Sequence, residues 1–562
     1  MKRLRWQILI VGVALVAIAV LLFGRQTDIR VIIPQGAEGG VYIEALVGAP
    51  SRFNPLLDDF NQADKDINRL VYSGMVKFDS WGNPLPDLAQ SWAVNVTGDV
   101  FNVTLRENVL WHDGEPLTAE DIVFTIELMR DPEMPVGEDL VALWESVEVI
   151  AFDEYNLQFR LEEPFSPFVD YLAFGVIPKH VFEGKSAGQI INDPINLAPI
   201  GSGPYKYDEL ILEDKQVVGV VLSANEDYFL ERPKIDQIIF RYYGSTRDAL
   251  TAYQNGEVMG INSIDLETLN DVLNEPKLNV YSARMPQISM VILNLQNTDL
   301  QFFQDIEVRK AMMLGLNREW IVEKALGGQG VIAHSPVLPG NWAYSNGIDI
   351  YAYNPDEAVK RLRAAGYALP AKGGQVRQKD DVRLAFELAY VDTPENTVIA
   401  EMISADWDKI GIRAKLLPVA PDLFISDVLD PRQFDAVLVD FSMLGTPDPD
   451  PYPFWHQSQV SGGQNYSQWN DRRASEYLEQ ARTTPNREAR ARLYRNFQVH
   501  FSRELPALPL FYPIYNYAVD AEILGLQLSP LYDPSDRFVD ILNWYLVSKP
   551  GIEKETKETQ AP

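Results

Sequence analysis

The 562-residue sequence contains no cysteine, so neither a disulfide nor a thiolate metal site can hold its fold together. Packing and hydrogen bonding alone must stabilise a chain that is longer than one hydrophobic core usually organises. With 46% hydrophobic and 11% aromatic residues, the composition is that of a globular protein. We therefore expect at least two lobes, one of which can be discontinuous in sequence.

The chain is strongly acidic, with a net charge of −30 at pH 7 and an isoelectric point near 4.6. Such a surface repels phosphate backbones and anionic headgroups, which argues against a nucleic-acid partner. The sequence also lacks a Walker-type glycine loop, an internal repeat and a heptad run. These features exclude a Walker-type ATPase, a solenoid and a coiled coil.

The N-terminus carries positive charges at Lys2, Arg3 and Arg5, and an unbroken apolar run follows at residues 8–23. No Ala-x-Ala cleavage site comes after it, so we interpret residues 1–26 as an uncleaved signal anchor in preference to a cleaved signal peptide. The positive flank favours a cytoplasmic N-terminus, with the rest of the chain on the outer face of the cytoplasmic membrane, periplasmic or extracellular.

Two further segments flank the expected globular part. Residues 27–40 are mixed and contain glycines, which suits a linker. Residues 549–562 are charged and poor in large apolar side chains, which predicts a disordered tail.

Helical and strand patterns alternate along the rest of the chain and predict α/β layering. Period-two alternation predicts strands at residues 100–105, 156–161 and 217–222. Capping residues and first-turn prolines predict helix starts at Thr118-x-x-Asp121, Asn354-Pro355, Thr393-Pro394 and Thr484-Pro485.

Two motifs invite a catalytic interpretation, and both fit turns better. His112-Asp113-Gly114 is followed by Pro116 and a capped helix, as in a strand-to-helix turn. After Gly201-Ser202-Gly203, Pro204 removes a backbone N–H that a phosphate loop or nucleophile elbow would use. We therefore assign structural roles to both. If Gly203 needs a positive φ, its replacement by valine should cost stability.

The sequence predicts no catalytic residue, no metal site and no cofactor. The five histidines are dispersed and include no HExxH pair. Asp448 and Asp450 are separated by a proline, and neighbouring side chains on an extended loop point apart, unlike a glycosidase carboxylate pair.

Several stretches resemble, in the same order, the family 5 solute-binding proteins, the peptide, oligopeptide and nickel receptors of ABC importers. Residues 88–92, 101–106 and 109–122 (VLWHDGEPLTAEDI) are similar to the family signature, and residues 200–205 (IGSGPY) are similar to its GTGPY turn. Further matches, which bring the coverage to roughly residues 41–545, are Arg309-Lys310-Ala311, Asn317-Arg318, 353–356, 365–367, 410–412, 434–435 and 506–510.

The resemblance implies an α/β, two-lobed fold like that of periplasmic binding proteins (type II, cluster C), with an extra subdomain in the N-terminal lobe and hinge strands between the lobes. On that pattern, residues 41–289 form the N-terminal lobe, residues 290–514 form the C-terminal lobe, and residues 515–548 return to the first. We place the hinge near Met290–Leu295 and Leu510–Ile514. Lobe closure is a shape change that a permease can detect.

The implied function is reversible binding without catalysis. A monomer, tethered to the membrane by its N-terminal helix, would enclose a peptide or other small solute and deliver it to an ABC permease and its ATPase subunits. A sensor of the same fold, or a secreted hydrolase, is the alternative. Co-purification with a permease or with a sensor separates the first two, and the third needs an activated nucleophile, a metal or a spaced carboxylate pair.

The loop at residues 440–448 is the most informative candidate for ligand contact. In the peptide-binding branch, the matching loop supplies an Asp for the ligand's α-ammonium, whereas Leu444 or Gly445 stands there in this sequence. Asp440 or Asp448 can substitute, or main-chain hydrogen bonds can hold an extended peptide. The candidate binding residues, for whose aromatic members a core position is the more common alternative, are Tyr42, Arg52, Trp342, Tyr344, Asp440, Phe441, Ser442, Asp448, Trp455 and Tyr515.

Overall fold

The computed structural model describes residues 36–37, 39–371, 373–443, 445–528 and 530–547. The predicted signal anchor, most of the predicted linker and the predicted tail lie outside these residues. Within the described ranges, no helix is both long enough and apolar enough to span a membrane.

A twelve-stranded sheet extends through the molecule and contains both parallel and antiparallel pairs. Its strands, in spatial order, are Arg413–Val419, Ala385–Val391, Ala436–Ser442, Gln287–Leu293, Ala507–Asp520, Gly260–Ile261, Val41–Val47, Gln237–Tyr243, Gln216–Ala224 and Tyr205–Glu213. Two more strands, Leu278–Arg284 and Gly330–Ile332, pair with Ala507–Asp520 off this path.

The 14-residue strand Ala507–Asp520 lies in the middle of the sheet and is shared by its two halves. Its first part pairs antiparallel with Gln287–Leu293, and its second part pairs antiparallel with Leu278–Arg284. The buried side chains divide at the same place. One lobe takes its core from residues 42–285 and 515–546, and the other takes its core from residues 288–512. We call these the first lobe and the second lobe.

The chain crosses between the lobes twice, at residues 285–288 and 512–515. The first crossing lies a few residues before the predicted hinge at Met290–Leu295, because Met290 is already buried in the core of the second lobe. The second crossing overlaps the predicted hinge at Leu510–Ile514.

A separate four-stranded antiparallel sheet lies within the first lobe and fits the predicted extra subdomain. Its strands, in spatial order, are Ala89–Val94, Val100–Leu105, Asn156–Leu161 and Val147–Ala151. Val100–Leu105 and Asn156–Leu161 confirm two strand predictions, and the third predicted strand lies within Gln216–Ala224. Alternate side chains of Val100–Leu105 are buried, since a strand turns successive residues to opposite faces.

Small sheets and helices complete the lobes. The small sheets are Val76–Phe78 with Pro84–Pro86, Gln378–Lys379 with Val382–Arg383, and Gly36–Ala37 with Tyr545–Val547 and Ile523–Leu524. The α-helices of the first lobe are Gln62–Val71, Ala119–Met129, Glu138–Glu145, Lys179–Phe182, Ala187–Ile191, Thr246–Gln254 and Leu266–Leu273. Those of the second lobe are Ile306–Leu314, Arg318–Ala325, Pro355–Ala364, Pro394–Ile410, Pro421–Leu423, Tyr452–Trp455, Arg472–Arg482 and Arg487–Glu504. Short 3₁₀ helices lie at Ser166–Ala173, Pro194–Leu197, Thr298–Gln304, Gln457–Val460, Pro534–Phe538 and Ile541–Asn543, and a short π-helix lies at Phe424–Leu429.

Three of the four predicted helix starts agree with the structure. The Asp121 carboxylate accepts the Thr118 N–H at 2.8 Å, and Asn354 and Thr393 cap their helices as expected. The fourth helix begins two residues later than predicted, because Asn486 caps it and accepts the Ala489 N–H.

The two turn motifs meet in the first lobe. The Nδ1 atom of His112 accepts the Gly201 N–H at 3.2 Å, so Nε2 carries the proton and donates to the Gly203 carbonyl at 3.0 Å. Burial lowers the pKa of His112 to about 4, which keeps the ring neutral. Gly203 does not have a positive φ, so backbone conformation is not what requires glycine there. Glycine is needed because a Cβ there would lie 2.4 Å from the Leu70 carbonyl oxygen.

Candidate functional site

A cavity of about 480 Å³ lies between the two lobes. The first lobe contributes Tyr171 and the end of the strand Leu278–Arg284, and the second contributes the loop that follows Ala436–Ser442. The volume falls in the range of about 300–1,000 Å³ that is common for small-molecule sites.

The wall from the second lobe is a proline-rich loop, residues 445–454 (GTPDPDPYPF). Its four prolines restrict the backbone and remove N–H donors, so the segment continues neither the strand before it nor a long helix. Both aspartates of this loop line the cavity.

Arginines on two second-lobe helices neutralise these aspartates. Asp448 is 3% exposed and pairs with Arg490 at 2.9 Å, and its Oδ1 accepts the Tyr494 hydroxyl at 2.8 Å. Asp450 pairs with Arg482 at 2.7 Å. The two carboxylates therefore hold the loop against the helices Arg472–Arg482 and Arg487–Glu504.

A third buried carboxyl, that of Asp170 in the first lobe, faces the same loop. Its Oδ2 accepts the backbone N–H of Asp448 at 2.8 Å, which joins the two lobes. Burial, and then the negative charge of Asp448, raise the pKa of Asp170 to about 7. The contact between the lobes thus includes a carboxyl that titrates near neutral pH.

Other hydrogen bonds between the lobes surround the cavity. Gln464 donates to Asp139 at 2.8 Å, Arg487 donates to the Gly82 carbonyl at 2.7 Å, and the Gly445 N–H donates to the Tyr532 carbonyl at 3.0 Å. The structure therefore has the two lobes in contact around an internal space, as expected of a closed state.

Two of the predicted site residues, Ser442 and Asp448, line this cavity. Trp342 lies beside it, in a smaller cavity of about 220 Å³. The indole Nε1 of Trp342 donates to the Pro447 carbonyl at 3.1 Å, and the Arg487 guanidinium lies 4.6 Å from the ring centroid. Trp342 thus supports the loop that forms the cavity wall.

Four predicted aromatic residues lie in hydrophobic cores. Tyr42 and Tyr515 belong to the first lobe, where Tyr42 donates its hydroxyl hydrogen to Glu44 at 2.6 Å. Phe441 and Trp455 belong to the second lobe, and the Phe441 ring packs 5.1 Å from that of Phe454, which does line the cavity.

The other three predicted site residues do not line the cavity. The backbone N–H of Arg52 donates to Asp64 at 2.8 Å, which places Arg52 beside the helix Gln62–Val71. Tyr344 is half-buried, and burial raises the pKa of its hydroxyl. Asp440 is exposed and accepts a hydrogen bond from the Ser289 hydroxyl.

The loop position at which the family resemblance implies an Asp is only partly described, since Leu444 lies outside the described residues. Gly445 has a φ of 105°, in the left-handed region that favours glycine. Its amide bond to Tyr532 gives it a role in holding the lobes together.

Sequence reasoning missed the cavity residues that have no local pattern, among them Tyr171 and Arg284. Asp170 and Asp448 are 278 positions apart, and no spacing rule joins residues so distant. The usable signal was the change from Arg284 to the apolar run of Gln287–Leu293, which marks the first crossing.

In the ranges that the structure describes, no three His, Asp or Glu side chains are grouped so that they could hold a metal ion.

Comparison with known proteins agrees with this architecture. Residues 83–465 match the model of the bacterial extracellular solute-binding proteins, family 5 middle. The chain is 28% identical over 522 residues to the oligopeptide-binding protein AppA of Bacillus subtilis, covering 91% of this chain and 92% of that protein. It is 24% identical to the dipeptide-binding protein of Escherichia coli K12, covering 86% of this chain and 91% of that protein.

Solved structures show the same fold. The structure of B. subtilis AppA in complex with a nonapeptide superposes with a TM-score of 0.68 at 25% identity, covering 92% of this chain and 100% of that chain. The two lobes, the cavity between them and the family match all support the same assignment. The chain belongs to the bacterial extracellular solute-binding proteins of family 5, the extracytoplasmic substrate-binding components of ABC importers.

Proposed function

We propose that this chain binds a peptide in the cavity between its lobes and releases it to the permease of an ABC importer. The observation that carries the proposal is the cavity of about 480 Å³, which both lobes line and hydrogen bonds between the lobes surround. Ligand entry and exit require those bonds to break, so binding is coupled to lobe opening and closing. The names of the two relatives given above, an oligopeptide-binding and a dipeptide-binding protein, favour a peptide over other solutes.

The cycle involves no covalent chemistry. The paired carboxylates that line the cavity, Asp448 and Asp450, are held by arginines and so are poor candidates for a general base or a nucleophile. The moving bodies in this proposal are the first lobe, residues 41–285 with 515–547, and the second lobe, residues 288–512.

Residues 1–26 would serve as the membrane anchor, and the binding lobes would lie on its outer side. The basic N-terminus and the apolar run at residues 8–23 support this part of the proposal. Deletion of residues 1–26 should move the protein from the membrane fraction to the soluble fraction without changing its ligand affinity. A deletion variant that stays with the membrane would count against the anchor.

The function is tested by native mass spectrometry of the full-length chain in mild detergent, with peptides, sugars and metal chelates as competing ligands. A ligand that binds only the folded state raises the melting temperature, which gives a second readout. Retention of peptides supports the proposal. Retention of sugars or chelates alone overturns the peptide assignment, and chemical conversion of any ligand overturns the non-catalytic role.

A further inference from the structure

The charges that line the interlobe cavity are unequally compensated. Four charged residues line it, and Asp448 and Asp450 are each neutralised by an arginine. Asp139 is exposed to solvent, and its carboxylate accepts the Gln464 amide at 2.8 Å. The fourth charged residue, Arg284, is half-buried, and no carboxylate lies within ion-pair distance of it among the described residues.

Arg284 occupies a well-defined position. It ends the strand Leu278–Arg284, directly before the chain crosses to the second lobe, and it is in register with Ile514 of the long shared strand. Its Nη1 donates to the Pro339 carbonyl, and a Cβ at Gly340 would lie 3.3 Å from the same nitrogen. The head group is thus held against a second-lobe loop that also lines the cavity.

The guanidinium has more donors than the protein uses. An arginine side chain carries five N–H donors, and the Pro339 carbonyl is the single protein acceptor of Arg284 in the described part of the chain. Because Arg284 is half-buried and lines the cavity, its remaining N–H donors are available to a bound ligand. A carboxylate fits this group best, because its two oxygens accept two parallel N–H bonds and it also neutralises the charge.

We propose that Arg284 binds a carboxylate of the transported solute, so that the cavity selects ligands with a free carboxylate, such as the C-terminal carboxylate of a short peptide. This inference rests on the proposed function, because it takes the interlobe cavity as the solute site. It adds the ligand group that the site recognises and the residue that recognises it. The net charge of −30 repels anions at long range, so the selection is local and depends on this one cation.

The test compares three matched tripeptide libraries, which carry a free C-terminal carboxylate, a C-terminal amide, or an acetylated N-terminus with a free carboxylate. Each competes for the full-length chain in native mass spectrometry. Both libraries with a free carboxylate should be retained, and the amides should bind at least about tenfold more weakly, since a site built for one hydrogen-bonding group rejects the analogue that lacks it. In Arg284→Gln, this preference for acid over amide should fall to about twofold or less.

Two further variants separate the effect of the planar guanidinium from the effect of its positive charge. Arg284→Lys keeps the charge but loses the planar fork, so its acid preference should be intermediate. Arg472→Gln removes the same charge from an exposed helical position, where Arg472 pairs with Glu476 at 2.9 Å, and should keep the full preference. Thermal melting of each variant shows whether it folds.

The outcomes distinguish this inference from the proposed function. Equal retention of acids and amides, or an unchanged preference in folded Arg284→Gln, overturns the carboxylate assignment and leaves peptide binding intact. Retention of no member of any library overturns both.

Discussion

The protein contains two buried clusters of arginine and carboxylate that differ in where they lie. The lobe cluster, Glu44, Asp66 and Arg537, is inside the first lobe, and all three side chains are fully buried. The interface cluster, Asp170, Asp448 and Arg490, joins the two lobes beside the cavity. Both clusters combine two carboxyls with one guanidinium, so their differences reflect position and not composition.

The lobe cluster is saturated with hydrogen bonds. Arg537 donates to both oxygens of Asp66, at 2.6 and 2.8 Å, and to Glu44 at 2.6 Å. The second oxygen of Glu44 accepts the hydroxyls of Tyr42 and Tyr517, each at 2.6 Å. Charges buried in this way are stable because every polar atom finds a partner.

The interface cluster is less completely compensated. Asp170 accepts one backbone N–H from Asp448, and its burial, together with the negative charge of Asp448, raises its pKa. A contact that must break each time ligand enters cannot be as tight as one that never opens. In this protein, the cluster inside one lobe is saturated with partners, and the cluster between the lobes keeps a titratable group.

The largest expected effect tests the fixed cluster. Arg537→Met leaves two buried carboxylates without a cation and should lower the free energy of unfolding by about 3–5 kcal/mol. Urea unfolding followed by tryptophan fluorescence measures it. Arg490→Met is the matched change at the interface and should cost less, because water can reach Asp448 when the lobes open. Equal losses in the two variants would break the comparison.

Close packing between uncharged groups inside the first lobe should also make the fold sensitive to small substitutions. Gly203→Ala places a Cβ 2.4 Å from the Leu70 carbonyl oxygen and should cost about 1–3 kcal/mol of stability. Gly188→Ala is the control, because no atom lies within 4 Å of a Cβ at that position. Similar melting temperatures for the two variants would mean that the turn at residues 201–203 moves more freely than its contacts imply.

The interface cluster should make ligand binding depend on pH. In the closed state, Asp170 keeps its proton up to about pH 7, whereas a hydrated aspartate in the open state titrates near about 3.9. Closure therefore takes up a proton between these values. Ligand affinity should fall as the pH rises from about 4 to about 7, by at most about tenfold per pH unit.

Asp170→Asn is uncharged in both states, so it should bind tightly across this range and lose the pH dependence. Asp271→Asn makes the same change on an exposed first-lobe helix and should keep it. Isothermal titration calorimetry with one retained peptide between pH 4.5 and pH 8 measures both variants. A flat profile for the unchanged protein would remove the role given to Asp170.

The smallest effect is expected at the rim of the cavity. Gln464→Ala removes one hydrogen bond between the lobes and should weaken binding by about 0.5–1 kcal/mol, mainly through faster release. Gln254→Ala removes a similar bond, to Glu275 within the first lobe, and should leave the release rate unchanged. Stopped-flow measurement of the dissociation rate distinguishes the two.

The sequence predicted local structure well because the causes of that structure are local. Strand alternation placed Val100–Leu105, and the caps at Asn354 and Thr393 placed two helix starts. The two-lobed architecture came from family resemblance, since alternating elements alone suit many α/β arrangements.

The site was harder to predict, because its residues meet only in the folded molecule. Tyr42 and Tyr515 are aromatic residues of the kind that often line pockets. They pack in a core instead, since an aromatic side chain suits either environment. Arg284 lies beside the cavity because the chain crosses between the lobes there, and no sequence pattern records that crossing. The pairing of Asp448 with Arg490 depends on how a loop packs on a helix 42 positions away.

The lobe cluster also bears on the order in which the chain folds. Glu44 and Arg537 are 493 positions apart, so the first lobe cannot neutralise its buried carboxylates until nearly the whole chain has been synthesised. The second lobe draws its core from residues 288–512, an uninterrupted stretch that is complete earlier. Closing so long a loop is slow but entropically only modestly more costly than closing a short one. During synthesis, the second lobe can therefore complete its core before the first lobe completes its buried cluster.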